Sequence, residues 1–195
     1  KILAHETGHR WGAYVHFRDE NGADSNALLG IADAHWSFLL DSEGSALYGN
    51  NWRDNGDGTF TSVEPEQGQE GFSFGRLFSP LDLYLMGLLP PAEVPPMTLL
   101  DSPGVDRSRP PVVGETIVGT ARTVTIEQVM AAEGERIPAA AEEAKEWRIG
   151  YIYAVVPGTW ASDREQSLAE VAGIGVVRDE WARRFSVLTD GIALL

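Results

Sequence analysis

The chain has 195 residues, of which 43% are hydrophobic and 23% charged, so it is long enough to bury a core as one domain. It has no cysteine, which excludes disulfide bonds, thiolate zinc sites and cysteine nucleophiles. The formal net charge of −14 argues against nucleic acid or an anionic membrane as a partner, and no run approaches the ~18 apolar residues of a membrane span.

The first half of the chain predicts one helix followed by short strands. Residues 1–17 predict a helix, and because the chain starts inside it without an initiator Met, we expect a piece of a longer protein. Residues 27–41 are apolar and fit either a helix or a strand. Residues 45–63 predict short strands around an Asp/Gly turn. Residues 64–71 predict a surface loop.

A second helix is predicted where strong capping residues precede an apolar run. Ser79 suits the N-cap, Pro80 the first helical position and Asp82 the capping-box position, and Gly87 ends the run. Residues 90–114 hold most of the eleven prolines and predict an irregular crossing segment. We therefore expect a zinc-helix and catalytic part at 1–89, the crossing segment at 90–114, and a C-terminal lobe of the same domain at 115–195.

The C-terminal lobe is predicted to mix strands and helices. In chain order the patterns indicate a strand at 115–126, a helix from Thr125 to 134, a short helix at 139–145, a strand at 146–158, and two amphipathic helices at 160–172 and 178–189. The expected fold class is α+β, with most helices and strands segregated along the chain.

The first helix carries a motif with the spacing of a metal site. His5, Glu6 and His9 match H-E-x-x-H. Residues four apart lie on one helix face with a rise of ~6 Å, so both imidazoles can reach one zinc ion at ~2.0–2.1 Å. Glu6 lies next to the first ligand, where it can take a proton from a zinc-bound water and pass it to a leaving amine. These residues predict a zinc site with Glu6 as the catalytic base.

The segment HETGH resembles the zinc helix of the zincin metallopeptidases, in the form HE-x-G-H. The runs AHWSFLLD, GNNWRDNGDGTF and SPLDLYLMGL are similar to those of bacterial secreted proteins that carry an HExxH helix. The resemblance implies a secreted zinc endopeptidase that acts on peptides or proteins in a cleft between two lobes. In zincins a β-sheet usually precedes the zinc helix, so we expect that lobe to be absent or trimmed here.

Catalytic zinc usually has three protein ligands, and the third must be sought outside the motif. In the metzincin pattern H-E-x-x-H-x-x-G-x-x-H, Gly12 matches the glycine, but Val15 stands at the last position and His16 follows it. In a continuous helix His16 would lie ~10 Å beyond His9, too far to share the ion. His16 is therefore expected to be a surface or outer-sphere residue.

Two downstream residues are further candidates for the third ligand. His35 follows a loop long enough to fold back on the helix. Asp82 would suit a site completed by a carboxylate, although its capping role already explains it. Asp33 fits better as a partner that orients a ligand histidine. We favour His35, with Asp82 and His16 as alternatives.

Three other features could have a function, but a structural role explains each of them more simply. Met86 resembles the methionine beneath the zinc of metzincins, but a core position explains it. Tyr84 could donate to an oxyanion, although a buried Tyr is the plainer interpretation. Residues 54–59 contain a DNGDG run that suggests calcium, but the ligand alternation of an EF-hand is missing and a hairpin turn fits better.

These patterns predict a zinc-dependent metallopeptidase in which His5, His9 and His35 bind Zn²⁺ and Glu6 activates water. A non-catalytic metal-binding or structural module of a larger secreted or surface protein is the alternative. A metal-dependent hydrolase of a non-peptide bond is a third reading.

Overall fold

We describe the fold from a computed structural model, covering residues 2–64, 77–152, 154 and 164–195, without the side chains of 164–167. The chain divides into two compact units, Lys1–Glu143 and Ala144–Leu195. This division differs from the predicted boundary at 90–114. The mixture of helices with several sheets agrees with the α+β class. None of the helices within the described residues is both long and apolar enough to cross a membrane.

The described residues of the first unit form three small sheets and three α-helices. The helices are α1 (Ile2–Gly8), α2 (Pro80–Leu85) and α3 (Ile126–Glu133), and the strands are β1 (Phe17–Arg18), β2 (Asp24–Ser25), β3 (Trp36–Asp41), β4 (Tyr48–Asn50), β5 (Trp52–Asp54), β6 (Thr59–Ser62), β7 (Met97–Asp101), β8 (Thr116–Val118) and β9 (Thr120–Val124). The main sheet has the order β4-β3-β7-β9, a second has β5-β6-β8, and β1 pairs with β2. Only β3 and β4 run parallel.

Helix α1 is shorter than the predicted helix over residues 1–17. It ends at Gly8. Hydrogen-bonded turns follow it, and the last of them is closed by the Gly12 amide, which donates to the Gly8 carbonyl. Ala13 then adopts a left-handed φ of 62°, which an L-residue helix cannot continue through. Sequence periodicity does not reveal this turn, because the conformation of Ala13 depends on tertiary packing.

Glycines at the end of α1 and in the turn that follows let this part of the chain approach the segment between β3 and β4 closely. A Cβ atom at Gly8 would lie 3.0 Å from the side chains of Leu47 and Phe78, and one at Gly12 would lie 2.7 Å from Leu47. Leu47 is buried, and its carbonyl accepts a hydrogen bond from the Trp36 amide at the start of β3. The backbone of α1 is therefore held against the segment that links β3 to β4.

Several predicted elements of the first unit are confirmed. Residues 27–41 form a 3₁₀ turn, Ile31–Asp33, followed by β3. Strands β5 and β6 flank the predicted turn. Helix α2 begins with the complete capping box of Ser79 and Asp82, and α3 begins with one formed by Thr125 and Gln128. The predicted loop at 64–71 lies outside the described residues except for the exposed Glu64.

Two predictions near the proline-rich segment are wrong. The segment at 90–114 is not irregular throughout, because it contains β7, which pairs with both β3 and β9. Its prolines flank that strand and leave its amides available for the ladder. The single strand predicted at 115–126 is two strands, β8 and β9, which lie in different sheets on either side of Gly119.

The second unit departs furthest from the predictions. Residues 139–145 form turns rather than a helix, and the described part of 146–158 pairs only through an isolated bridge between Glu146 and Leu194. The rest of that predicted strand, and residues 160–163 of the first predicted helix, lie outside the described residues. Instead of two helices there is one, α4 (Arg164–Leu188).

Candidate metal centre

Three half-buried histidines meet between α1 and the start of β3. The Nε2 atom of His5 lies 3.1 Å from that of His9 and 3.2 Å from that of His35. One ligand atom from each residue lies within 4.8 Å of the other two. Tetrahedral zinc with bonds of ~2.0–2.1 Å would separate its ligand nitrogens by about 3.3–3.4 Å. The distances from His5 to His9 and to His35 are thus close to the spacing around a single zinc ion, and the third pair lies within 4.8 Å.

Backbone carbonyls set the tautomers of two of these rings. The Nδ1 atom of His5 lies 3.0 Å from the Ala46 carbonyl oxygen, and that of His35 lies 3.0 Å from the Ile31 carbonyl oxygen. A carbonyl can only accept, so each Nδ1 carries the proton, and in a neutral ring Nε2 then has a lone pair. Two lone pairs therefore face each other across 3.2 Å, an arrangement that a shared cation stabilises.

The third ring is held in its neutral form by its surroundings. Burial lowers the pKa of His9, and the neighbouring His5 and His35 lower it further, while the Glu6 charge and the nearby Gly12 backbone act in the opposite direction. A neutral imidazole has the lone pair that metal binding needs. The Nδ1 atom of His9 is buried and has no hydrogen-bond partner among the described residues.

Tyr48 packs against the cluster, and sequence reasoning missed it. Its ring centroid lies 4.8 Å from that of His5 and 4.7 Å from that of His35, and the second pair is stacked with an interplanar angle of 20°. Its φ of 83° is uncommon for a residue other than glycine. Such strain tends to concentrate at functional sites. No sequence pattern marks this position, because the backbone conformation of a Tyr is not evident from its residue type.

The predicted catalytic base lies at the edge of the site. Glu6 is exposed, and its charge acts on His9 from the neighbouring turn of α1. No hydrogen bond or ion pair engages its carboxylate within the part of the chain that the structure describes. Its oxygens are therefore available to exchange a proton with a molecule held near the histidines.

Asp82 is engaged in a buried network and does not join the histidine group. It is only 1% exposed, and its carboxylate accepts hydrogen bonds from Trp36, Ser45 and Ser79. Burial raises the pKa of Asp82, whereas these hydrogen bonds act to lower it. The structure therefore does not bring Asp82 into the metal site, because both carboxylate oxygens are engaged in this network and the group placed to hold a metal consists of the three histidines.

The two remaining candidates also lie outside the cluster. The Nδ1 atom of His16 lies 2.9 Å from a carboxylate oxygen of Glu133, which also accepts from the His16 amide. Asp33 is exposed and pairs with Arg107, so it does not orient His35. The Ile31 carbonyl does so instead. Backbone acceptors of this kind could not be recognised from side-chain chemistry.

The other residues with possible functions have structural roles. Met86 is 1% exposed and belongs to the core. Tyr84 is buried, and its hydroxyl accepts a hydrogen bond from the Arg136 amide, so it is not directed at the histidines as an oxyanion donor. The turn at 54–59 is a hairpin in which Asp54 and Asp57 accept bonds from nearby backbone amides. In the described ranges, the three histidines are the one group placed to hold a metal.

No family model, curated protein or solved structure matches this chain significantly. The support for a function therefore comes from the side chains themselves.

Proposed function

We propose that this chain is a zinc-dependent metallopeptidase whose metal is held by His5, His9 and His35. The observation that supports it best is the convergence of three Nε2 atoms, with 3.1 and 3.2 Å separating that of His5 from the other two. The hydrogen bonds from His5 and His35 to backbone carbonyls direct their lone pairs inward. Three nitrogen ligands leave the fourth position of a tetrahedral ion open, as in catalytic rather than structural zinc sites.

A zinc ion in this site would supply Lewis acidity to a substrate carbonyl and would make water acidic enough to act as a nucleophile near neutral pH. The histidines have the separate task of holding the ion in one position. His5 would do so from α1, His9 from the turn that follows it, and His35 from the position directly before β3. Because these elements are packed together through Leu47, the ligands are arranged before any metal arrives.

Glu6 would carry the proton. Its carboxylate is exposed and unengaged within the described residues, one position from the first ligand. It can accept a proton from water as the nucleophile forms and return it to the leaving amine of a cleaved peptide bond. The assignment of a peptide substrate depends on the HExxH motif, and the secreted bacterial origin stays a prediction.

Zinc content and hydrolysis measured together on the full chain test this proposal. We expect one zinc ion per chain, lost in His9→Ala and kept in His16→Ala, which removes a histidine outside the cluster. Glu6→Gln should keep the zinc and lose casein hydrolysis, whereas Glu20→Gln, at another exposed glutamate, should keep both. A wild-type protein that binds zinc but hydrolyses neither casein nor small esters would instead support the non-catalytic module.

A further inference from the structure

Asp82 lies at the centre of a buried hydrogen-bond network next to the histidines. Oδ1 accepts from the Trp36 indole N–H at 2.7 Å. Oδ2 accepts from the Ser45 hydroxyl at 2.5 Å, and from both the amide and the hydroxyl of Ser79 at 2.7 Å. Oδ2 thus receives three of the four hydrogen bonds and Oδ1 receives one, so both oxygens of the buried carboxylate are engaged.

The network reaches the proposed ligands through their chain neighbours. Trp36 directly follows His35 in the sequence, so the bond from its indole fixes the residue beside the third ligand. Ser45 directly precedes Ala46, whose carbonyl accepts the Nδ1 proton of His5. One carboxylate therefore anchors the chain on both sides of the cluster without touching an imidazole.

The Ser45 hydroxyl extends the network toward the first helix. It accepts from the Leu47 amide at 2.9 Å while it donates to Asp82. Leu47 is the residue against which Gly8 at the end of α1 and Gly12 in the following turn pack. The position of α1 relative to the Ala46 carbonyl thus depends on the segment that Asp82 holds.

Stability alone does not account for a buried carboxylate at this position. Removing a charge from water is costly, and well-packed apolar replacements of buried ionic groups are often neutral or stabilising. Beyond the Ser79 cap, Asp82 bonds to two residues that are each one position from the cluster. A helix cap alone would not need those two bonds, so they point to a function in placing the cluster.

We propose that Asp82 is a positioning residue that sets the geometry of the His5–His9–His35 metal site through Trp36 and Ser45. This proposal rests on the proposed zinc function. Asp82 is not a ligand or a catalytic residue, and it acts through the backbone segments on either side of the cluster.

Asp82→Asn and Ser45→Ala test this role, with Ser102→Ala as the matched control. Asp82→Asn replaces one acceptor oxygen by an amide N–H donor, although all neighbouring groups of the network donate to this side chain. Ser45→Ala removes one of these donors and leaves the carboxylate intact. Ser102 is also buried and donates one hydrogen bond, to the Val118 carbonyl, but it contacts no part of the network. The measurements are the zinc dissociation constant by chelator competition, the visible spectrum of the Co²⁺-substituted protein, and the midpoint of thermal unfolding.

We expect Asp82→Asn and Ser45→Ala to weaken zinc binding by roughly 10- to 100-fold, as for other outer-sphere partners of metal ligands, and to change the Co²⁺ spectrum. Ser102→Ala should change neither the zinc affinity nor the Co²⁺ spectrum, even if its unfolding midpoint falls. Ser45→Ala decides the question if Asp82→Asn does not fold. Wild-type zinc affinity and Co²⁺ spectra in both network variants would overturn the positioning role and leave the proposed function intact. A wild-type chain that binds no zinc would overturn both.

Discussion

The Nε2 atoms of His5 and His35 lie 3.2 Å apart, although the two residues are 30 positions apart in the chain. Their outer nitrogens both donate to backbone carbonyls, so both inner nitrogens have lone pairs in the neutral rings. Two lone pairs at this distance repel unless a cation or a proton lies between them. The fold therefore maintains an arrangement that is unfavourable in isolation and favourable around a metal ion.

Removing the downstream histidine should weaken metal binding strongly. His35→Ala deletes one of three proposed ligands, and we expect its zinc dissociation constant to rise by more than the roughly 10- to 100-fold of an outer-sphere change. Chelator competition measures this constant. His16→Ala is the matched control, because its ring pairs with Glu133 instead of joining the cluster. Equal zinc affinities in His35→Ala and His16→Ala would show that His35 is not a ligand.

Zinc should also stabilise the folded chain. A ligand that binds only the native state at about 100 times its dissociation constant adds roughly 2.7 kcal/mol to the free energy of unfolding. For a protein of this size, that corresponds to a rise of about 5–10 °C in the unfolding midpoint. Calorimetry with zinc and with a chelator measures the shift, and His5→Ala should abolish it. A shift that persists in His5→Ala would mean that zinc binds elsewhere.

The elements that could be predicted are those with strong local signals. Ser79 and Asp82 form the capping box that their spacing predicts, and the i, i+4 spacing of His5 and His9 is what lets both face one point. His35 could be named because few histidines are present, and the structure brings it to the motif.

Elements that depend on tertiary packing could not be predicted. Ala13 ends the helical turns through a backbone conformation that its residue type does not favour. Two helices are predicted at 160–172 and 178–189, but a glycine in a helix costs only about 1 kcal/mol and α4 continues through Gly173 and Gly175 between them. The carbonyls of Ile31 and Ala46, which orient the ligand rings, carry no side-chain signal at all.

The stability contributed by Asp41 should fall as the pH rises. Burial raises the pKa of Asp41 above the ordinary value of 3.8, although amide bonds from Glu43 and Trp52 act in the opposite direction. Because the folded state then binds this proton more tightly than the unfolded state, the free energy of unfolding decreases with pH from about the ordinary value through the raised one. Asp41→Asn lacks this titration.

Urea unfolding of both proteins across the acidic range measures the effect of Asp41. We expect the stability of the wild type relative to Asp41→Asn to decline as the pH rises and then to level off above the raised pKa. A relative stability that increases with pH would show that the amide bonds outweigh burial.

Gly87→Ala should destabilise the end of α2 more than a left-handed φ alone explains. Gly87 has a φ of 74°, and a Cβ atom there would lie 2.4 Å from the Arg136 guanidinium, which donates to the carbonyls of Leu85 and Met86 and pairs with Glu143. Gly104→Ala is the matched control, since its φ is 84° in a turn closed by the bond from the Val105 amide to the Ser102 carbonyl, but nothing lies within 4 Å of a Cβ atom there.

Both variants should lose about 1–2 kcal/mol from the backbone conformation. Gly87→Ala should lose a further ~1–3 kcal/mol, because displacing Arg136 leaves partly buried hydrogen-bonding groups unsatisfied. Chemical denaturation of the two variants measures the difference. Equal losses would show that Arg136 moves aside freely and that its contacts at the end of α2 do not contribute to stability.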